Sequence, residues 1–294
     1  MRLRHAMLAA GAFAIGLSTP ALAHRQWLLP STTTLAGTSE YVTIDAAVSN
    51  DLFYPDHFPI DPAQIKVWAP DGSAGGIENA STGRYRSTFD VKIDKPGTWV
   101  IGTERSGVMG TFKLGGETWR VGGRGRPGGA PQGQAPAAVE GAGRAPMKSV
   151  ATVAEIPANA TDVKLTETYG RNVVFITADA PSAHAFNLTG KGLEFQPITQ
   201  PGALASDEEG QFRFLVDGKP AANLAVTVVP GGKKFREAED AQELKTGADG
   251  VVHVKWPVPG MYWLNANYTD DKATTTRATE RRLSFTTTLE VVAP

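Results

Sequence analysis

The sequence contains no cysteine. Disulfide bonds, thiolate metal ligands and the lipid-bearing cysteine of a lipoprotein are therefore all excluded. Histidine is scarce as well, with 5 residues in a chain of 294. Any metal site in this protein must be built from nitrogen and oxygen ligands, and the few histidines limit where such a site can lie.

Neither sign of charge is in clear excess, because 29 Lys and Arg residues face 30 Asp and Glu residues. This balance gives no reason to expect nucleic acid or an anionic membrane surface as a partner. Long apolar runs are missing too. The longest, residues 6–17, has roughly a dozen residues, whereas a membrane span needs about 20. We therefore expect no membrane span in the mature chain.

The first 23 residues have the pattern of a secretory signal peptide. Arg2 and Arg4 give a positive start, the apolar run 6–17 follows, and Ala21 and Ala23 form the small-residue pattern that precedes a cleavage site. We predict cleavage after Ala23 and export of the mature protein to the periplasm.

The remaining sequence is typical of an all-β protein. It carries 32 Gly and 20 Pro, and short runs rich in Thr, Val and aromatic residues alternate with turn sequences. Residues 40–49, for example, alternate polar and apolar side chains with the period of a half-buried strand. Further strands are predicted at residues 65–68, 85–93, 98–103, 164–169, 173–177, 211–216, 224–229, 251–256, 261–268 and 282–292. The stretch 233–244 fits either a bulged strand or a short helix.

A weak internal repeat predicts two immunoglobulin-like β-sandwiches in tandem. A Pro-Gly turn followed by aromatic residues occurs at residues 96–99 and again at 259–263, and we expect these aromatics to pack between sheets. We predict an N-terminal sandwich over 24–190 and a C-terminal one over 191–294. Residues 122–146 are almost wholly Gly, Pro, Ala, Gln and Arg, which predicts a disordered insertion in the first sandwich.

Cleavage after Ala23 would leave His24 as the first residue of the mature protein. An N-terminal histidine offers its α-amine and an imidazole nitrogen from one residue, and together they form a chelate for a divalent metal such as copper or nickel. The alternative is that the histidine is incidental, because signal peptidase tolerates many residues after the cut. In that case the terminal segment only lays Trp27 and Leu29 into the sandwich as an edge strand.

A tetragonal copper or nickel site needs three or four nitrogen or oxygen ligands. His57 is the strongest candidate for a second ligand, since it lies in an aromatic, proline-rich loop of the same predicted domain. Asp56 lies beside it, and His184 lies in a loop near the domain junction. Two further groups are weaker: Glu104 follows a predicted strand, and His253 should face solvent from a strand.

Several motifs resemble those of the domain of unknown function 4198 family (DUF4198). The sequence carries HRQWLLPS at 24–31, GLEFQP at 192–197, FLVDGKP at 214–220, VTVVPG at 226–231, Asp-Gly at 249–250 and PGMYWL at 259–264. The resemblance implies immunoglobulin-like sandwiches and a periplasmic location. It also implies a role in metal uptake, because family members are often labelled as periplasmic components of cobalt- or nickel-type uptake systems. Residues 122–146 look like an insertion relative to the family pattern.

These observations favour a periplasmic protein that binds or delivers nickel, cobalt or copper beside membrane or outer-membrane transport components. The alternative is a structural or adhesion-like module that binds protein or glycan without metal. We do not expect an enzyme. The sequence has no nucleophile elbow, phosphate loop, dinucleotide fingerprint or zinc-protease helix, and nothing in it indicates the substrate surface that a copper oxidase built on His24 would need. The acidic cluster of Glu237, Glu239 and Asp240 is interpreted as a solvated surface.

Overall fold

The structure of the protein is a computed structural model that describes residues 24–122 and 147–294. The predicted signal peptide, residues 1–23, lies outside the described residues. The predicted insertion, residues 122–146, also lies outside them except for Gly122.

Extended strands make up the regular structure of the described residues, as the sequence predicts. In chain order the strands are β1 (Arg25–Pro30), β2 (Thr34–Leu35), β3 (Glu40–Ser49), β4 (Phe58–Pro59), β5 (Lys66–Trp68), β6 (Glu78–Thr82), β7 (Arg86–Ile93), β8 (Gly97–Leu114), β9 (Glu117–Val121), β10 (Ser149–Val150), β11 (Thr161–Ala178), β12 (Leu193–Pro197), β13 (Glu209–Val216), β14 (Lys219–Pro220), β15 (Ala225–Pro230), β16 (Gln242–Lys245), β17 (Val251–Lys255), β18 (Gly260–Asp270) and β19 (Ala278–Val291).

Single turns of 3-10 helix occur between some of these strands. They lie at Pro62–Gln64, Val153–Glu155, Ala183–Phe186, Pro201–Ala203 and Lys233–Phe235. The stretch 233–244, for which the sequence left strand and helix open, contains both: it begins with the turn Lys233–Phe235, and its last residues belong to β16. No helix in the described part of the chain is long and apolar enough to cross a membrane.

The strands form three sheets. In the first sheet β3 pairs with β1, β7 and β4, and β6 pairs with β7. The second sheet has the order β10-β9-β8-β11-β19-β18-β15-β16, with β2 on β11 and β5 on β8. The third sheet consists of β12, β13, β14 and β17. The all-β fold class predicted from the sequence is therefore confirmed.

The second sheet is shared by two sandwiches. Its strand β19 pairs in parallel with β11, which joins the last strand of the chain to the first half. Side chains of β11 alternate between two cores: Val174 and Ile176 pack against the first sheet, whereas Val173 and Phe175 pack with the third sheet. The first and third sheets therefore cover opposite faces of the second sheet, which both sandwiches share. The domain boundary at residue 190 remains a prediction.

The aromatics of the two Pro-Gly turns are buried, as predicted. Trp99 is 3% exposed, Tyr262 0% and Trp263 7%. Trp99 belongs to the core under the first sheet and Tyr262 to the core under the third. Trp263 lies in a separate small cluster with Trp27, Ala47, Leu52 and Val229. This third cluster connects the N-terminal strand to the second half of the protein.

Candidate metal site

The structure brings His24 and His57 together. His24 precedes β1, whose Arg25 is paired with Ser49 at the end of β3. His57 precedes β4, whose Phe58 is paired with Val48 of the same strand. Because β1 and β4 both pair with this end of β3, the two histidines lie at one end of the first sandwich. Both are exposed to solvent and accessible to an ion.

The imidazole rings of these two histidines stack on each other. Their centroids are 3.8 Å apart and their planes differ by 13°. The ring of Phe58 packs against His57 at a centroid distance of 4.8 Å. Imidazole nitrogens bind metals through lone pairs in the ring plane, and in stacked rings these lone pairs lie in two nearly parallel planes and do not converge on one ion. One ion held by both rings therefore requires a ring rotation, which an exposed side chain makes within nanoseconds.

Asp56, the predicted oxygen ligand next to His57, is engaged in its own loop. Its Oδ1 accepts a hydrogen bond from the Asn50 backbone nitrogen at 2.9 Å, and its Oδ2 accepts one from Asn50 Nδ2 at 3.2 Å. Asp56 thus fixes the loop that carries His57. Its role as a metal ligand remains a prediction.

His184 does not join the pair. It lies in the turn Ala183–Phe186, where its ring packs directly against Gly72 and its Nδ1 contacts Asn187 Nδ2 at 3.1 Å. The neighbouring Ser182 lies beside Gly97, the first residue of β8. The preceding strand, β7, ends at Ile93, which is paired with Glu40. Glu40 begins β3 and Ser49 ends it. His184 therefore lies at the opposite end of the first sandwich from His24.

The other candidate ligands are engaged elsewhere. Glu104 forms ion pairs with Lys66 and Arg171. His253 is exposed on β17, as predicted, and its Nδ1 lies 2.6 Å from Glu209 Oε1. Within residues 24–122 and 147–294 no group of three or more His, Asp or Glu side chains is arranged to hold a metal ion. The donors present at the candidate site are those of His24 and His57.

An ion pair across the two halves of the protein holds the segment next to His24. Arg25 donates to both carboxylate oxygens of Glu239, at 2.5 and 3.1 Å, and its guanidinium lies 5.3 Å from the centre of the Trp263 ring. Hydrogen bonding from Arg25 lowers the pKa of Glu239 below its usual value. Of the acidic cluster, Glu237 and Asp240 are exposed, whereas the side chain of Glu239 is only 27% exposed and is paired with Arg25. The sequence does not reveal this pair, because the partners are 214 positions apart and neither has a local motif.

Two tryptophans add further anchors to β1. Trp27 is 1% exposed and its Nε1 donates to Ser49 Oγ at 2.6 Å. Trp263 Nε1 donates to the backbone oxygen of Gln26 at 3.1 Å. A buried indole N–H normally finds such a partner. Strand β1, which directly follows His24, is thus held by hydrogen bonds from the indoles of Trp27 and Trp263. These contacts fix the backbone next to the histidine pair.

The loop that carries His57 rests on the second half of the protein as well. Asp51 accepts an ion-pair hydrogen bond from Lys233 Nζ at 3.2 Å. Phe53 packs so closely on Gly231 that a Cβ at that glycine would lie 2.8 Å from the ring. Lys234 Nζ lies 4.6 Å from the centre of the Tyr54 ring. Both histidines are therefore positioned by contacts between the two sandwiches.

Comparison with known proteins assigns a family and leaves the function open. A model of the family described as "Domain of unknown function (DUF4198)" matches residues 21–270. No curated protein matches the chain.

Among solved structures, the D0-D1 domain of intimin is 11% identical with a TM-score of 0.21, over 90% of this chain and 97% of that one. The human OSCAR ligand-binding domain is 8% identical with a TM-score of 0.18, over 88% and 96% of the two chains. At TM-scores this low, neither similarity bears on function. The family match covers most of the sequence, and the chain belongs to the DUF4198 family.

Proposed function

We propose that this protein is a periplasmic metal-binding or metal-delivery accessory protein of a transition-metal uptake system, with His24 as its chelating residue. The observation that carries the proposal is the contact between His24 and His57, whose rings are 3.8 Å apart at the exposed end of the first sandwich. The label attached to members of the family, a component of cobalt- or nickel-type uptake, also supports it.

The donor set fits a divalent ion of the late first transition series. In a mature chain that begins at His24, that residue supplies an α-amine and an imidazole nitrogen, and His57 supplies a second imidazole. Nitrogen donors of this kind suit Cu(II) and Ni(II), and the general order of affinities places Cu(II) above Ni(II) and Ni(II) above Co(II).

The small number of protein ligands favours delivery over permanent storage. A tetragonal ion has about four positions in its plane, and two residues supply three nitrogens. The remaining position is open to water or to a ligand from a transport component. Because both histidines are exposed, a partner can reach the ion and take it by ligand exchange.

The chelate would exist only after export. While residues 1–23 are attached, the nitrogen of His24 is a peptide amide and has no free lone pair at neutral pH. Removal of the leader creates the amine, so processing would switch on metal binding in the compartment where the protein acts.

Calorimetry on matched N-termini tests the proposal. Protein that begins at His24 is expected to bind Cu(II) and Ni(II) at least about 100-fold more tightly than protein that retains Ala21, Leu22 and Ala23, because the extension removes the amine from the chelate. N-terminal acetylation should have the same effect as the extension. Binding should also weaken on acidification to about pH 5, since an α-amine has a pKa near 7.7–8.0 and must lose its proton to coordinate.

Equal affinity for the free, extended and acetylated forms would overturn the role of His24. Absence of Cu(II) and Ni(II) binding in all three forms would favour the alternative function, a structural or adhesion-like sandwich that binds protein or glycan without metal.

A further inference from the structure

A polar groove lies on the shared sheet beyond the edge of the first sheet. Strands β8, β11, β19 and β18 form its floor, and Gln26 of β1 lies at its rim. Its volume is about 470 Å³, which is within the range of small-molecule sites, about 300–1,000 Å³. The groove continues the face of the sheet that forms the first core, at the point where the first sheet no longer covers it.

The residues of this face change from apolar to polar although they stay buried. On β11, Ile176 and Val174 belong to the first core, and the next residue on the same face is Asn172. On β8, Ile101 is followed on that face by Thr103. Asn172 and Thr103 are both 2% exposed. Continuation of the hydrophobic core would favour apolar side chains at both positions.

The side chain of Asn172 has no hydrogen-bond partner among the described residues. Both of its side-chain atoms, Oδ1 and Nδ2, are buried and unpaired, and so is Oε1 of Gln26 at the rim of the groove. Buried polar atoms in folded proteins are nearly always paired, and an unpaired one lowers stability. These two amides therefore lack a protein partner, and a ligand in the groove would reach them once the side chains that cover these atoms move aside.

A glycine on the floor keeps the space beside Asn172 open. Gly170 is two residues from Asn172 on the same strand and face, and a Cβ at this position would lie 2.6 Å from Ser284 Oγ. Any other residue here would displace Ser284 or fill the groove.

The charge of the groove favours an anion. Three arginines and no carboxylate line it. Arg105 is exposed and makes its hydrogen bond to a neutral group, Gln64 Oε1, at 2.7 Å. Arg105 has no ion pair with a described carboxylate, whereas Arg171 and Arg282 pair with Glu104 and Glu280. A carboxylate is the natural partner for such a guanidinium, because it accepts two parallel N–H bonds.

We infer that this groove binds a small hydroxylated carboxylate, such as a uronic acid or a hydroxy acid. Arg105 receives the carboxylate. The amides of Asn172 and Gln26 supply a donor and acceptors for hydroxyl groups, and the hydroxyl of Ser284 lies beside them. This inference is independent of the metal site.

Glucuronate and glucose form the matched pair of probes, because they differ only at C6, where glucuronate has a carboxylate and glucose a hydroxymethyl group. Calorimetry on chelator-treated protein should show glucuronate binding at millimolar concentration, with glucose at least about tenfold weaker, the effect of one charge-assisted hydrogen bond. Arg105→Gln, a change at an exposed residue that should not disturb folding, should remove this preference. Arg84→Gln is the control, because Arg84 is exposed in the turn between β6 and β7 and does not line the groove. This variant should keep the preference for glucuronate over glucose.

Asn172→Leu separates a binding role from a structural one. Leucine keeps the branched shape of asparagine and removes the unpaired polar atoms, so this variant should melt no lower than the wild type and should bind glucuronate at least about tenfold more weakly. The inference is overturned if glucuronate, citrate and malate all fail to bind the wild type, or if glucuronate binds equally well to Arg105→Gln and Asn172→Leu. Since no metal is present in this experiment, its failure leaves the proposed role of His24 unaffected.

Discussion

Replacing His57 with alanine in protein that begins at His24 is expected to lower its affinity for Cu(II) by at least about 100-fold. Loss of a residue that only orients a metal ligand already costs 10- to 100-fold in affinity, and loss of a ligand should cost no less. The ring of His57 stacks on the ring of His24 and can supply a second imidazole nitrogen to an ion held there. Calorimetry or competition with a chromophoric chelator measures the change.

His184→Ala and His253→Ala are the matched controls. Both remove an imidazole, but His184 packs on Gly72 at the other end of the sandwich and His253 pairs with Glu209. Neither variant should change the affinity measurably. If His57→Ala binds as tightly as the wild type while His184→Ala does not, the site is centred on a different histidine.

Replacing Arg281 with leucine is expected to lower the free energy of unfolding at pH 7 by about 3 kcal/mol. Arg281 donates to Asp270 from Nε at 2.9 Å and to Asp217 from Nη2 at 2.7 Å. The side chains of Arg281 and Asp270 are 12% and 9% exposed. Removing one partner of a buried ion pair costs about 3–5 kcal/mol, and the lower figure applies because Asp217 is 36% exposed. Urea unfolding measures the change.

The same network predicts how stability depends on pH. Hydrogen bonds from Arg281 lower the pKa of both Asp217 and Asp270 in the folded protein. A carboxylate with a lowered pKa stabilises the fold above the pKa of the unfolded chain, about 3.9, and this contribution is lost as the pH falls through the folded value. The wild type should therefore lose more stability than Arg281→Leu when both are acidified below about pH 4.

Arg282→Leu is the control for the neighbouring position. Arg282 is 60% exposed and pairs with Glu280, which is 38% exposed, and exposed pairs contribute about 0–1 kcal/mol. If Arg281→Leu and Arg282→Leu lower stability equally, the network does not join the turn at Asp217 to strands β18 and β19 as the structure indicates.

The sequence predicted the features that have a local pattern. Strand β3 was predicted over Glu40–Ser49 from its alternation, and the structure has the same bounds. The burial of Trp99 and Tyr262 followed from their position after Pro-Gly turns. His57 was chosen as a partner of His24 because its loop was expected in the same domain, and the structure places the two rings in contact.

The features that the sequence did not predict depend on contacts between distant segments. The parallel pairing of β11 with β19 brings together strands more than 100 residues apart, and side-chain periodicity does not specify which strands pair. The ion pair of Arg25 with Glu239 has the same origin. The sequence did not predict the groove. Asn172 stands directly before the apolar run 173–177, and a polar residue at this position indicates only that a buried strand begins there.

Electron paramagnetic resonance of the Cu(II)-loaded protein tests the central claim most directly. Protein that begins at His24 should bind one Cu(II) per chain in a tetragonal environment, with magnetic coupling to three nitrogens. Labelling the histidine side chains with a nitrogen isotope should change the coupling of two of these nitrogens, which identifies them as imidazoles. The coupling of one of these two should be absent in His57→Ala. A spectrum that shows only oxygen ligands, or one that is unchanged by acetylation of His24, would contradict the account.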